Sequence, residues 1–245
     1  MDQGYLSEIF VSFQGEGARV GERHLFVRMA GCNLRCRYCD TPGSLVRGPF
    51  LTVQREGSPP SLLTNPIGST ELVRCTAALM KEEGPLDAVA LTGGEPLVQA
   101  DFLADFLAAA RFLIPVLLET NGVLPEQLTA VLPWVDIVSM DIKPASNTGE
   151  RPFWDEHDEF LRRAGYKEVY VKVLVDRHTS DADICQAAEL LAAHGPVPLY
   201  LQPIMDTAGQ ATIDPVALRR LFLVARRIHG PVRVLPQTHK IIGIQ

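Results

Sequence analysis

Short runs of consecutive apolar residues alternate along this chain with longer segments whose apolar positions recur at helical spacing. The runs "HLFVRMAG", "LDAVALTGG", "PVLLETNG", "VDIVSMDIK", "EVYVKVLVD", "VPLYLQPI" and "VRVL" predict strands. Between them, "STELVRCTAALMKEEG", "ADFLADFLAAARFL", "PEQLTAVL", "FWDEHDEFLRRAG", "SDADICQAAELLAAHG" and "DPVALRRLFLVARRIHG" predict helices. In the first helix Ser69 is the expected N-cap, Leu72, Ala78 and Leu79 the apolar face, and Gly84 the stop. Strands that are apolar throughout are buried on both faces, and their alternation with helices marks a parallel sheet covered by helices. About six such units in 245 residues predict one α/β domain over residues 1–245, as a partial or complete barrel or an open doubly wound sheet. In either architecture function gathers at the C-terminal ends of strands. The unusual clusters stand there: three cysteines, "TGGEP", "ETNG", "DIKP" and "LQPI".

One stretch breaks the rhythm. Residues 42–68, "PGSLVRGPFLTVQREGSPPSLLTNPIG", are rich in Pro, Gly and Ser and follow the cysteines directly. A connection this long is usually functional or mobile. A lid over the site is the favoured expectation, and a solvated insertion the alternative.

Composition narrows the function classes. Apolar residues make up 47% and charged residues 21%, and 23 Lys plus Arg against 29 Asp plus Glu leave a net charge of −6. That balance excludes broad binding to a nucleic-acid backbone, which needs a positive surface. "MDQGYLSEIF" has no basic leader region, and no apolar run approaches a membrane span. The expectation is a cytoplasmic protein that keeps its thiols reduced. Cys75 and Cys185 stand alone within helical patterns and are expected to be buried and inert.

The chemistry lies in "GCNLRCRYCDT", which holds Cys32, Cys36 and Cys39 within eight residues. Three thiols are one too many for a disulfide and one too few for a closed structural zinc site. An iron–sulfur cluster held at three irons leaves the fourth open to a ligand. In "LTGGEPL", Gly93 and Gly94 would let the backbone approach a ligand, and Glu95 would offer an ammonium an anionic partner. Upstream, the Gln14 amide and Glu16 carboxylate suit a heterocycle of alternating N–H and C=O groups. Arg28 has the fork that clamps a carboxylate.

The CxxxCxxC spacing of Cys32, Cys36 and Cys39, with Tyr38 before the last, resembles the signature of radical S-adenosylmethionine (radical SAM) enzymes. "LTGGEPL" resembles the GGEP motif of that superfamily. The resemblance implies a partial or modified (βα)6 TIM-like barrel carrying a 4Fe–4S cluster whose open iron is chelated by S-adenosylmethionine. Reductive cleavage of that molecule then gives a 5′-deoxyadenosyl radical. Within the superfamily, "SFQGEGARVGERHLFVRMAGCN", "CDT" and "PQTHKIIGIQ" resemble the 7-carboxy-7-deazaguanine synthase (QueE) family. This implies a lyase that contracts 6-carboxy-5,6,7,8-tetrahydropterin to 7-carboxy-7-deazaguanine with loss of ammonia, in the biosynthesis of 7-deazapurines such as queuosine.

The resemblance also implies roles for particular residues. Phe13, Gln14, Gly15, Glu16, Arg28, Thr92, His239 and the terminal Gln245 would meet the pterin, and Thr41 would ligate Mg²⁺. Tyr38, Asp40, Gly94, Glu95, Asp141, Ile142, Lys143 and Gln202 would hold S-adenosylmethionine. A reductant such as flavodoxin or ferredoxin and a homodimer are implied as partners. Two departures stand out: "DIK" replaces the Ser-Pro-Lys of many members, and "CDTPGSL" lacks an aromatic shortly after the Thr. The alternatives are another small radical SAM enzyme such as a glycyl-radical activase, a non-catalytic iron–sulfur carrier, or a zinc-binding module.

Overall fold

Val, Leu and Ile in unbroken runs give strands because their branched side chains pack on a pleated surface, and Gly, Pro and Asn end each run. The computed structural model describes residues 3–206 and 208–244, so Gln245 lies outside the described residues. The strands are β1 (Gln3–Gly4), β2 (Leu6–Phe13), β3 (Arg23–Met29), β4 (Phe50–Val53), β5 (Ser61–Thr64), β6 (Ile67–Gly68), β7 (Ala88–Gly93), β8 (Val116–Thr120), β9 (Ile137–Ile142), β10 (Glu168–Val175), β11 (Leu199–Pro203) and β12 (Val232–Val234). The helices are α1 (Ser69–Glu83), α2 (Ala100–Ala110), α3 (Pro125–Val131), α4 (Ala145–Thr148), α5 (Trp154–Ala164), α6 (Asp181–Ala193), α7 (Pro215–Ile228) and α8 (Thr238–Ile242).

One large sheet runs in the order β12-β11-β10-β9-β8-β7-β3-β2-β4-β5. From β3 through β12 every neighbouring pair is parallel. Six of these strands are each followed by a helix before the next, which is the partial (βα)6 barrel. The hydrogen-bonded sheet does not close between β12 and β5. The turn Gly17–Arg19 reaches instead from the end of β2 to β10, where Arg19 binds both oxygens of Glu168 at 2.7 and 2.6 Å.

The core has two parts. The larger lies between sheet and helices and includes Leu72, Phe106, Leu128, Phe160, Ile184 and Leu221. Burying each such side chain contributes roughly 1.5–3 kcal/mol. The smaller lines the barrel interior as a floor of Phe10, Phe26, Ala90, Leu117, Ile137, Tyr170 and Tyr200. Phe10 stacks on Phe26 at 4.9 Å. Polar side chains from the same strands stand above this floor, at the C-terminal ends.

The structure departs from the sequence reading in four places. Gly68, not Ser69, is the N-cap of α1, and Ser69 is its first residue. Its buried face is Leu72, Thr76 and Leu79, the Thr76 hydroxyl donating to the Leu72 carbonyl at 2.9 Å. Cys75 and Cys185 are half-buried rather than buried. Residues 42–68 contribute two strands to the sheet: β4 pairs parallel with β2, and β5 returns antiparallel to β4. Asn65 pins the far end by accepting from Leu6 N at 3.2 Å and donating to Leu6 O at 2.7 Å. Only the first turn of the segment, Pro42–Leu45, reaches the site, where Leu45 lines the cavity. No helix among the described residues is long and apolar enough to cross a membrane.

Candidate active site

β3 delivers the chain into the cysteine loop, and backbone and arginine contacts fix that loop in place. Gly31 N donates to Ser44 O at 2.7 Å, and Gln99 Nε2 donates to Ala30 O at 2.9 Å. The Arg35 guanidinium closes the loop on itself by donating to the carbonyls of Cys32 and Leu34 at 2.8 and 2.7 Å. Arg37 ties it to the 145–148 helix through Ser146 O at 2.6 Å. Leu34, Val123 and Phe153 form an apolar pad against Cys32 and Cys36.

All three thiols are free, half-buried, and line one cavity of about 210 Å³. Burial pushes the Cys32 and Cys36 thiols up. The Leu34 N–H already points at Cys32 Sγ from 3.4 Å, as a donor does toward a bound thiolate. Three soft donors on one loop, backed by apolar side chains and open to a cavity, fit an iron–sulfur cluster whose remaining iron faces the cavity.

β7 ends beside this loop. Gly93 has φ +132°, and a Cβ there would stand 2.2 Å from Met29 O. A Cβ on Gly94 would stand 2.2 Å from Gly31 O and 3.1 Å from Cys32 Cβ. The glycine pair therefore admits the backbone of the cysteine loop, a closer constraint than the ligand approach expected from sequence. Glu95 follows, 1% exposed. It accepts from Thr120 Oγ1 at 2.8 Å, Asn121 N at 2.7 Å and Leu97 N at 3.1 Å. Burial outweighs these donors and raises its pKa to about 7.

Across the cavity the 14–16 loop carries the second group. Gln14 Nε2 donates to Glu119 Oε1 at 2.9 Å, and Gln14 Oε1 accepts from Glu16 N at 3.0 Å, so the amide is oriented. Glu16 accepts from Lys172 Nζ at 2.6 Å and from Gln237 Nε2 at 2.8 Å. Burial alone would raise its carboxyl, but the Lys172 charge and these hydrogen bonds hold it well below the usual carboxylate range. Thr238 N and Oγ1 donate to Gly15 O at 3.0 and 3.1 Å, docking the C-terminal segment on the loop. A Cβ on Gly15 would stand 2.2 Å from His239 Nδ1, so glycine is what admits that ring. Glu16, Asp40 and His239 bring ligand atoms within 4.8 Å of one another. Asp40 is also bound by Lys240 at 3.0 Å.

Most sequence-predicted residues converge here. Phe13, Gln14, Gly15, Glu16, Arg28, Tyr38, Asp40, Thr41, Thr92, Gly94, Glu95, Asp141, Lys143 and His239 all line the cavity with the three cysteines. Arg28 is held by Glu8 at 2.6 Å and stacks over Phe10 at 5.4 Å, a half-buried pair at the cavity wall and not a surface one. Lys143 lies over the Tyr38 ring at 5.6 Å. One residue stands apart. The Ile142 side chain is packed in the core between sheet and helices, because alternation along β9 turns it opposite to Asp141. Gln202 is fully buried on β11, beside Glu16, whose carboxylate its amide helps to keep ionised. Sequence reading missed Glu119, Asn121, Lys172, Leu174 and Gln237, which share the lining. A lone lysine inside the apolar run "VYVKVLV" was the signal for Lys172.

Comparisons with known proteins show the family and the fold. Residues 26–195 match the Radical SAM superfamily. The chain is 37% identical over 241 residues to the 7-carboxy-7-deazaguanine synthase of Geobacter sulfurreducens, covering 97% of this chain and 96% of that one. It is 38% identical to that of Methanopyrus kandleri, covering 96% and 92%. Among solved structures, QueE from Escherichia coli superimposes with a TM-score of 0.62 at 24% identity over 97% of this chain and 95% of that one, a likeness of fold.

Proposed function

Because this chain belongs to the radical SAM superfamily and, within it, to the 7-carboxy-7-deazaguanine synthases, we infer that its cavity takes S-adenosylmethionine beside the cysteine loop and a carboxylated pterin against the opposite wall. The enzyme is a lyase that converts 6-carboxy-5,6,7,8-tetrahydropterin to 7-carboxy-7-deazaguanine with loss of ammonia. The observation that carries the site reading is the shared cavity, lined by the three thiols and by Gln14, Glu16, Arg28 and Glu119.

Cys32, Cys36 and Cys39 would hold the 4Fe–4S cluster. When bound, cluster and S-adenosylmethionine together supply the hydrogen-abstracting 5′-deoxyadenosyl radical. The chain's own contribution is positioning, charge and exclusion of water. Glu16 and Glu119 offer acceptors to the adjacent N–H donors of a pterin edge, and the Gln14 amide between them fixes its register. Arg28, anchored by Glu8 and Phe10, faces the substrate carboxylate. Thr92 is buried beside it and closes the wall. Phe13 and His239 border the pterin, and Gly15 admits His239. Thr41 would bring its hydroxyl to Mg²⁺, with oxygens of substrate and water completing the shell. Its hydroxyl caps no backbone group of the turn that follows. Asp40, Asp141 and Lys143 flank Tyr38 on the cluster side and suit the nucleoside of S-adenosylmethionine, with Gly94 lining the same cavity. Reaction in the cytoplasm, a low-potential donor such as flavodoxin or ferredoxin, and a homodimer complete the reading.

Glu95 supplies a prediction. Its pKa of about 7 reflects burial of the carboxyl, and the methionine ammonium is the cation it would pair. Below pH 7 the group must lose a proton to pair. S-adenosylmethionine binding should therefore weaken as pH falls through 7 and release a proton there. Calorimetric titration in buffers of different ionisation enthalpy reads that proton directly. Glu95→Gln should weaken binding about 10- to 100-fold, as expected for a charge-assisted hydrogen bond, and flatten the pH dependence. A Gln variant that keeps the pH dependence removes Glu95 from this role.

The reading as a whole is tested by anaerobic reconstitution and reduction, followed by S-adenosylmethionine, Mg²⁺ and 6-carboxytetrahydropterin with mass-spectrometric detection. The expected product is 7-carboxy-7-deazaguanine. Formation of 5′-deoxyadenosine alone would defeat the substrate assignment.

A further inference from the structure

Lys172 is 3% exposed, yet it is a cation inside the barrel. Its ammonium donates to Glu16 Oε2 at 2.6 Å and stands 3.4 Å from Asp141 Oδ1. Asp141 Oδ2 accepts from Lys143 at 2.9 Å, and Lys143 lies over Tyr38, between Cys36 and Cys39 in the loop. A row of alternating charge therefore runs from the 14–16 wall to the cysteine loop: Glu16, Lys172, Asp141, Lys143. Burial alone would lower the Lys172 pKa, but Asp141, Glu16 and Glu119 raise it well above the ordinary lysine value, so it stays charged.

The two ends of this row belong to different ligands. A molecule that must touch the cluster takes the Tyr38, Lys143 and Asp141 end. A second ligand in the same cavity takes the Glu16 end. We propose that Lys172 is a positioning residue that couples the two binding events, by sharing one buried ammonium between a carboxylate at each ligand's end. The contacts are unequal: the Glu16 contact is a short hydrogen bond, whereas Asp141 Oδ1 is within ion-pair range without a hydrogen-bond partner. Heterocycle N–H groups arriving at Glu16 take over part of the role of Lys172 there. The ammonium then leans toward Asp141 and steadies the carboxylate that faces the nucleoside. By linkage the effect is reciprocal, so each ligand tightens the other.

This inference rests on the pterin and S-adenosylmethionine reading above, and the experiment separates the two. S-adenosylmethionine affinity is measured by calorimetry on reconstituted, unreduced enzyme, with and without 6-carboxytetrahydropterin, for wild type, Lys172→Met and Lys172→Arg. In wild type the pterin should tighten binding about tenfold, within the ordinary range of coupling between sites. In Lys172→Met the ratio should fall to within about twofold of unity at unchanged iron content, and Lys172→Arg should restore most of it. A wild-type ratio in Lys172→Met overturns the proposal, as does equal weakening of each ligand alone with the ratio intact. If Lys172→Met fails to take up the cluster, Glu16→Gln decides, at pterin held saturating for that variant: loss of the ratio with normal binding of S-adenosylmethionine alone supports coupling, and a preserved ratio overturns it. Wild type that makes no 7-carboxy-7-deazaguanine defeats the underlying reading and the proposal with it. Wild type that turns over, with S-adenosylmethionine affinity indifferent to pterin, defeats the proposal alone.

Discussion

Cys36→Ala should give a folded protein with no measurable turnover, a loss of at least about 10³-fold or more than ~4 kcal/mol of barrier. Cys36 is half-buried and packs only at the margin of the Leu34, Val123 and Phe153 pad, so its removal costs the fold little. Its effect falls on the cofactor, since two thiolates cannot secure a cluster that three were placed to hold. The measurement is paired: iron content after anaerobic reconstitution, and 5′-deoxyadenosine plus product by mass spectrometry. Cys75→Ala is the control, because Cys75 lies on α1 away from the cavity. It should keep full iron and full turnover. Normal product formation by Cys36→Ala would remove this loop from the chemistry.

The cysteines were legible because their constraint is local: one loop, fixed spacing, a residue type with little other use in such density. The βα units were legible for a related reason, since a strand buried on both faces reads as an unbroken apolar run. β2 was not. In "LSEIFVSF" the apolar run is interrupted by Glu8, which faces Arg28 and Gln54 across the sheet. β4 and β5 are four-residue strands, β5 at the sheet edge, with Phe50 and Leu62 exposed, so neither alternation nor continuity marked them. Lys172 and Gln237 escaped for a different reason: each draws its meaning from Glu16, 156 and 221 residues away in sequence. No window along the chain contains both partners.

Gly94→Ala should be strongly damaging although the residue has no side chain to lose. Its Cβ would stand 2.2 Å from Gly31 O and 2.7 Å from Gly31 C, and neither is the end of a flexible side chain. The same backbone is fastened by Gly94 N to Met29 O at 3.2 Å and by Glu95 N to Gly31 O at 2.9 Å. Relief requires the cysteine loop to shift by about an ångström. Overpacking of this kind costs about 1–3 kcal/mol of stability. A displacement of that size at a reacting centre costs about 10²-fold in rate. Thermal unfolding should show a lowered midpoint, iron uptake should fall, and turnover should fall further than iron uptake. Full turnover at wild-type midpoint would mean that the loop yields freely and that the glycine pair has another purpose.

The contact between the 14–16 loop and residues 237–238 has a kinetic consequence. Gln237 meets Glu16 from 221 positions away, and Thr238 meets Gly15 from 223. Closing a loop of that length carries a large entropic cost that a few hydrogen bonds cannot offset until the strands between them have assembled. The wall built on these contacts is thus a product of folding and not a participant in it. It forms after the barrel and, joined by so few bonds, is the first part to open again. Amide exchange at Thr238 should therefore be faster than in β9 or β10, and should slow when pterin occupies the wall.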